Sequence, residues 1–197
     1  MFILHQLQNK ELILGSQSPR RKELLKSAGF KFITRTIPTS EEYPHNLKPH
    51  EVAEYLSRQK AEPFRQVLHK DHILITADTI VVKENEILNK AADETSAGAM
   101  LRKLSNTSHR VITGVCITSL QKQVCFHETT HVTFSRLTDS EIHYYIEQFR
   151  PFDKAGAYGI QEWIGMIGVQ RIEGCFYNVV GLPVPRLYQE LKAFIEL

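Results

Sequence analysis

The chain has 197 residues, of which 42% are hydrophobic and 23% charged, and its formal net charge at pH 7 is +2. These values predict one soluble globular domain spanning residues 1–197, and the low charge argues against nucleic acid as a partner. No apolar run approaches the ~20 residues that cross a membrane. Because Met1–Leu4 also lacks the length and basic start of a signal peptide, we expect a cytoplasmic protein.

The first predicted elements alternate between strand and helix. They are a strand at Leu12–Leu14, a helix from Pro19 to Gly29, a strand at Phe30–Ile37 and a helix at Pro49–Leu68. Proline is favoured in the first turn of a helix, and glycine is favoured just after the last turn. Pro63 falls inside the second helix and is expected to kink or end it.

Hairpins dominate the middle of the chain. The remaining predicted elements are strands at Ile73–Val82 and Glu86–Leu88, a helix capped by Asp93 or Thr95 and reaching Leu104, strands at Val111–Thr118 and Val124–Phe134, a helix from the capping box Thr138–Glu141 to Gln148, a strand at Ile167–Ile172 and a helix at Pro183–Phe194. This order predicts an α/β fold with a mixed, mostly elongated β-sheet, flanked by helices and with a central cleft.

Neither the cysteines nor the histidines predict a metal centre. Cys116, Cys125 and Cys175 are an odd number without metal-ligand spacing, so we expect them to be reduced and buried. His127 and His131 are four residues apart in a strand-like segment and do not form a zinc motif.

The segment Ser16–Arg21 is the first candidate site. It follows a short apolar strand and Gly15, and it combines two serines and two arginines at the start of a helix. A helix N-terminus presents unpaired backbone N–H groups and a partial positive charge, which suit a phosphate. The alternative is a capped helix that carries two surface arginines.

Asp78 is the second candidate, because it interrupts the most apolar strand of the chain. A carboxylate inside a strand is costly to bury unless it is paired, binds a metal or faces a cleft. There it would hold a divalent cation or activate a water molecule. The alternative is a structural hydrogen bond to a neighbouring loop.

Other candidates are scattered along the chain. Lys60, Lys90 and Lys154 are each typical of solvated lysines unless they converge with the two arginines. The loop Gly156–Gln161 is bracketed by glycines, which would let a backbone approach a ligand while Gln161 reads a base edge. An ordinary turn fits that spacing equally well.

Four blocks of the sequence are informative when they are taken together: Gly15–Leu25, Ala77–Val81, Asp153–Gln161 and Val179–Pro183. In this order they resemble the Maf family of nucleoside triphosphate pyrophosphatases. The resemblance runs from about Leu12 to Leu191. It implies hydrolysis of a nucleoside triphosphate to its monophosphate and pyrophosphate, a reaction that removes unwanted nucleotides from the cellular pool. The alternative function is a non-catalytic nucleotide or nucleic-acid binding regulator of cell division.

The resemblance also implies roles for individual residues. Asp78 would be the proton acceptor, Ser16, Arg20 and Arg21 would bind phosphates, and Lys60, Lys90 and Glu41 would line the same pocket. Glu41 would help to hold a divalent cation, Mg²⁺ or Mn²⁺. The family further suggests a homodimer.

The branch of the family that acts on dTTP and UTP is similar to this chain at three positions. These positions are Arg20, Thr79 and Gln161. The branch that acts on 7-methyl-GTP instead carries a tryptophan after Ser-Pro, where this chain has Arg20, and a glutamine after the aspartate, where this chain has Thr79. The resemblance therefore implies a pyrimidine substrate, including modified pyrimidine nucleotides. One departure is Ala91, where the family usually has a proline after the lysine that matches Lys90.

Overall fold

Seven strands form one mixed sheet in the computed structural model, which describes residues 3–196. They are β1 (Glu11–Leu14), β2 (Ile33–Thr34), β3 (His72–Lys83), β4 (Glu86–Leu88), β5 (Ser108–Thr118), β6 (Gln123–Phe134) and β7 (Val169–Glu173). Their order is β2-β1-β3-β5-β6-β7, and β4 pairs with β3. Strand β1 is parallel to both β2 and β3, whereas β4 is antiparallel to β3 and β7 is antiparallel to β6. The predicted mixed sheet is therefore confirmed.

Helices connect and flank these strands. They are α1 (Ile3–Gln6), α2 (Pro19–Ser27), α3 (Pro49–Ala61), α4 (Glu94–Leu104), α5 (Asp139–Phe149), α6 (Trp163–Gly168), α7 (Phe176–Val180) and α8 (Val184–Glu196). Short 3₁₀ turns cover Leu7–Asn9 and Glu62–Gln66. Within residues 3–196, none of the helices is long and apolar enough to cross a membrane. Of the N-terminal segment considered as a signal peptide, Met1 and Phe2 lie outside the described residues.

The predicted helix caps are confirmed. Asp93 Oδ1 accepts from Ser96 N at 2.7 Å, which decides between the two candidate caps of α4. Thr138 Oγ1 accepts from Glu141 N at 3.3 Å and completes the capping box of α5. Helix α3 ends at Ala61 and continues as a 3₁₀ turn that contains Pro63, because proline cannot donate the next helical hydrogen bond.

Two strand predictions need correction. The predicted strand Phe30–Ile37 is reduced to Ile33–Thr34, which pair with Ile13 and Leu14. Because β1 ends at Leu14, the pairing cannot continue beyond Thr34. The predicted strand Ile167–Ile172 is instead the end of α6 followed by β7. A short apolar run does not distinguish helix from strand, and Gly165 allows the helix because a Cβ there would lie 1.9 Å from Ile160 O.

The prediction that all three cysteines are reduced and buried is also wrong. Cys116 on β5 and Cys125 on β6 form a disulfide, with their Cα atoms 4.1 Å apart. The β5–β6 hairpin brings residues nine positions apart onto neighbouring strands, which spacing alone did not reveal. Cys175 is a free thiol and is only partly buried.

The chain divides into two compact units. The first comprises the chain up to Asp78, Thr113–Glu128 and the segment from Gly181 onward, and the second comprises Thr79–Ile112 and Thr129–Val180. The assignment of residues 1–197 to a single domain, and the central cleft, stay predictions.

The first unit is built on β1, β3 and α8. Leu12, Ile75 and Leu187 belong to one buried apolar cluster, together with the predicted inner face of α8 at Leu191 and Phe194. Each such side chain contributes about 1.5–3 kcal/mol to folding. This core fixes the end of β1, from which the candidate anion-binding turn begins.

Candidate functional site

The turn after β1 has the predicted strand–turn–helix geometry. Gly15 N donates to Ile75 O at 2.8 Å, which continues the pairing with β3. A Cβ on Gly15 would lie 2.8 Å from Thr76 Cγ2, so the close approach requires glycine. Ser18 then caps α2 by accepting from Arg21 N at 3.4 Å, which directs the N-terminus of α2 and its arginines to the end of the strand.

Arg21 is fixed by two hydrogen bonds. Its Nε donates to Gly181 O at 2.8 Å, and its Nη1 donates to Ser16 Oγ at 3.3 Å. Burial lowers the pKa of Arg21, and the charge of Arg20 acts in the same direction, while the carboxylates of Asp78 and Glu41 oppose the shift. The guanidinium of Arg21 is therefore fixed in position, and its charged neighbours are one cation, Arg20, and two carboxylates, Asp78 and Glu41.

Asp78 lies on β3 and is 9% exposed. Its carboxylate pairs with Lys60 Nζ, and the same ammonium lies 3.2 Å from Glu41 Oε1. A buried carboxylate needs such a partner. The partner is a lysine of α3, so the alternative of a hydrogen bond to a loop does not describe this residue.

A buried hydrogen bond explains how Lys60 and Asp78 meet. Thr76 Oγ1 donates to Ser57 O at 2.7 Å and joins β3 to α3. Lys60 is three residues after Ser57 on the helix, and Asp78 is two residues after Thr76 on the strand, so each shares a face with its neighbour. A Cβ on Gly114 would lie 2.1 Å from Ala53 O, so this glycine lets β5 approach α3 closely.

The first unit therefore assembles six of the predicted site residues. They are Ser16, Arg20, Arg21, Glu41, Lys60 and Asp78. Three cations and two carboxylates stand close together, an arrangement that suits phosphate oxygens on one side and a cation on the other. Lys60 contacts Glu41 and Asp78, the two carboxylates that also act on Arg21, and its side chain is only 20% exposed, so it is not a solvated lysine.

The site also fits a divalent cation. Glu41 and Asp78 each place a carboxylate oxygen against the ammonium of Lys60, so these two oxygens already share one positively charged partner. Among the described residues, no group of three or more histidine, cysteine or acidic side chains could hold a metal. Mg²⁺ commonly uses one or two carboxylates and takes its remaining ligands from water and substrate phosphates.

The second unit carries Thr79, Lys90 and Gln161. Thr79 directly follows Asp78 on β3. Lys90 is exposed, and its backbone forms an isolated antiparallel β-bridge with that of Ala155. Next to this bridge, Gly156 N donates to Leu88 O at 3.1 Å. The loop that leads to Gln161 is thus bound to the segment that carries Lys90.

The glycine-bracketed loop makes the expected close approach. Gly156 has φ +68°, and a Cβ there would lie 3.0 Å from the Val81 methyl groups. Gln161 itself is exposed. Lys154 is not a solvated lysine, because it is 7% exposed and pairs with Asp153 at 2.7 Å and Glu162 at 3.1 Å.

His127 has neighbours other than His131. Its Nδ1 lies 2.5 Å from Glu54 Oε1, and its ring centroid lies 4.9 Å from that of His50. Sequence reasoning did not identify the Thr76–Ser57 bond or the carbonyl of Gly181 as supports of the site. The only signal for Gly181 was its place in the fourth block of the resemblance.

These features define an α/β protein with a cationic strand–turn–helix site next to a buried aspartate. The sequence pattern of the family described as Maf-like protein matches residues 11–194. The chain belongs to this family.

Curated relatives cover almost the whole chain. A protein from Phocaeicola vulgatus named "dTTP/UTP pyrophosphatase" is 50% identical over 191 residues, covering 96% of this chain and 99% of the relative. One of the same name from Porphyromonas gingivalis is 50% identical over 197 residues and covers 98% and 99%. A third, from Bacteroides thetaiotaomicron, is 47% identical over 191 residues and covers 96% and 99%.

A solved structure shares the fold. The Ham1 protein of Staphylococcus aureus has a TM-score of 0.53 and 15% sequence identity, and the match covers 94% of this chain and 100% of that protein. At this identity the likeness concerns the fold alone, and it agrees with the α/β class.

Proposed function

We propose that this chain is a hydrolase that splits the pyrimidine nucleoside triphosphates dTTP and UTP, and modified pyrimidine triphosphates, into the monophosphate and pyrophosphate. The names of the relatives support this reaction. The observation that carries it is the buried Asp78, paired with Lys60 beside the Ser16–Arg21 turn. The activity would remove unwanted nucleotides from the pool.

In this proposal the triphosphate binds at the turn. Ser16, Arg20 and Arg21 hold phosphate oxygens at the start of α2, where the helix dipole adds positive charge. The bonds of Arg21 to Ser16 and Gly181 fix the guanidinium before substrate arrives. Lys60 adds a further positive charge as negative charge develops on the leaving pyrophosphate.

Asp78 is the proposed proton acceptor. It orients a water molecule and takes its proton as the water oxygen attacks the α-phosphorus, and the bond between that phosphorus and the bridging oxygen of pyrophosphate breaks. Burial excludes competing solvent from the carboxylate, and Lys60 neutralises its charge in the resting protein. Such general-base assistance is typically worth about 10²–10⁴-fold in rate.

Glu41 and Asp78 are the proposed ligands of a divalent cation, Mg²⁺ or Mn²⁺. When bound, the cation would supply Lewis-acid stabilisation of phosphoryl oxygens. Lys60 would then move its ammonium towards the phosphates, since the same carboxylates would face the cation.

Arg20, Thr79 and Gln161 are the proposed determinants of the pyrimidine preference, and Lys90 is a proposed substrate contact. The amide of Gln161 offers a donor and an acceptor, which can match the polar edge of uracil or thymine. We further propose that the protein acts in the cytoplasm, where nucleotides are made, and that it forms a homodimer. Light scattering during size-exclusion chromatography would measure its mass.

A nucleotide panel tests the reaction. Purified protein is incubated with Mg²⁺ and dTTP, UTP, GTP or 7-methyl-GTP, and pyrophosphate release is measured with and without EDTA. We expect the highest kcat/KM for dTTP or UTP and loss of activity with EDTA. Absence of pyrophosphate release would refute the function, whereas a preference for 7-methyl-GTP would refute the pyrimidine assignment alone.

A further inference from the structure

Gln161 lies in a tight turn whose two ends are held together. Glu162 N donates to Gly159 O at 3.0 Å, so Gly159 and Glu162 are the first and fourth residues of the turn and Gln161 is the third. A Cβ on Gly159 would lie 2.9 Å from both Gln161 Nε2 and Glu162 Oε2. The two side chains therefore fold across the glycine.

One buried hydroxyl connects both ends of this turn. Tyr145 on α5 is fully buried, and its Oη donates to Glu162 Oε2 while accepting from Gly159 N at 3.0 Å. Lys154 Nζ lies 3.1 Å from Glu162 Oε1, so the carboxylate has partners on both oxygens. The Lys154 side chain is 9% exposed and that of Glu162 is 20% exposed, and charged groups with so little access to water are costly unless they are paired in this way.

The chain after the turn adds a further support. Gly165 N and Met166 N donate to Glu162 O at 3.0 and 3.2 Å, so α6 begins on the last residue of the turn. The missing Cβ of Gly165 lets this helix lie against Ile160 O. Gln161 is thus an exposed residue on a turn fixed by buried contacts, which is unusual for a surface loop.

We propose that Tyr145, Glu162 and Lys154 are positioning residues that set the nucleotide preference by fixing the direction of the Gln161 amide. This inference rests on the proposed pyrimidine triphosphatase function. An amide recognises a base edge only when its donor and acceptor face the right way, and a loosened turn would let it rotate. The three residues act through Gln161, whereas the reacting phosphates are assigned to other residues.

The test is a double-mutant cycle between Tyr145→Phe and Gln161→Ala, with kcat and KM measured for UTP and GTP. We expect Tyr145→Phe to raise KM for UTP about tenfold and leave kcat nearly unchanged, because contacts to the base are made equally in ground and transition states. The UTP/GTP ratio of kcat/KM should fall by a similar factor. In the Gln161→Ala background, Tyr145→Phe should change KM by less than about twofold.

Tyr144→Phe is the matched control, because Tyr144 is the preceding residue of α5, is 47% exposed and packs on the edge of Trp163. This variant also loses a phenolic hydroxyl, and its kcat and KM for UTP and GTP should equal those of the wild type. Glu162→Gln is a second variant that keeps an acceptor for Tyr145 and loses the ionic bond to Lys154. It should show a smaller rise in KM with the same dependence on Gln161.

The outcomes separate the two proposals. A wild-type protein that releases no pyrophosphate from UTP would refute the function. An active wild type whose UTP kinetics are unchanged by Tyr145→Phe and Glu162→Gln would overturn the positioning role alone. An equal effect of Tyr145→Phe with and without Gln161 would also overturn it, since a general structural role predicts that result. Thermal melts would show whether each variant is folded.

Discussion

Replacing Asp78 by asparagine separates chemistry from folding. Asparagine keeps the shape and an acceptor oxygen but cannot take a proton, so kcat for UTP should fall about 10²–10⁴-fold. That loss corresponds to about 2.7–5.4 kcal/mol in the activation barrier. The assay is pyrophosphate release at saturating UTP and Mg²⁺.

The cost in stability should be much smaller. Removing one partner of a fully buried ion pair costs about 3–5 kcal/mol. Here the side chains of Lys60 and Asp78 are 20% and 12% exposed, and Lys60 keeps Glu41 as a partner. We therefore expect a loss of about 1–2 kcal/mol, seen as a decrease in Tm of about 2–8 °C.

Asp71→Asn is the matched control. Asp71 lies just before β3, its side chain is 54% exposed, and it pairs with Lys10 at 3.3 Å. An exposed pair contributes about 0–1 kcal/mol, so this variant should keep both activity and Tm. If Asp78→Asn retains a kcat within threefold of the wild type, the assignment of Asp78 as proton acceptor is wrong.

Two further predictions concern Arg21 and His109. Arg21→Lys should raise KM for UTP at least tenfold, because one ammonium cannot reproduce the bonds to both Gly181 O and Ser16 Oγ; a KM equal to that of the wild type would contradict the phosphate-binding role. Burial lowers the pKa of His109, whose Nε2 contacts Tyr158 Oη at 2.7 Å, to about 3. The unfolded chain protonates this histidine below about pH 6.5 while the folded chain does not, so stability should fall by about 2 kcal/mol between pH 7 and pH 5. Urea unfolding at both pH values would measure this, and His109→Gln should reduce the difference; the same pH dependence in that variant would exclude His109 as its source.

Local sequence signals predicted the elements that local chemistry determines. Ser18 and Pro19 mark the start of α2, and Thr138 marks the start of α5, because each forms its cap with residues nearby in the chain. The length of strand β2 was overestimated because the alternation of apolar and polar residues shows only which side chains would share one face of a strand. It does not report where the partner strand ends, and the pairing with β1 stops at Leu14.

The candidate site was only partly predictable for a similar reason. The sequence marked Asp78 as an unusual residue of an apolar strand. The family resemblance placed Lys60 in the same pocket, but no neighbouring residue identified it as the ion-pair partner of Asp78. That pairing depends on the Thr76–Ser57 bond between a strand and a helix 19 residues apart in the chain. The disulfide between Cys116 and Cys125 likewise depends on a hairpin register that spacing alone does not contain.

The bond between Arg21 and Gly181 joins residues 160 positions apart. During synthesis, the turn and α2 emerge from the ribosome long before the carbonyl that holds their arginine. The apolar cluster under β1 also includes Leu187 and Leu191 of α8. A nascent chain can therefore form α2 early, but it acquires a fixed Arg21 only when its last helix has been made. Translation stopped before Gly181 would thus release a protein whose candidate anion-binding turn lacks one of the two bonds that fix Arg21.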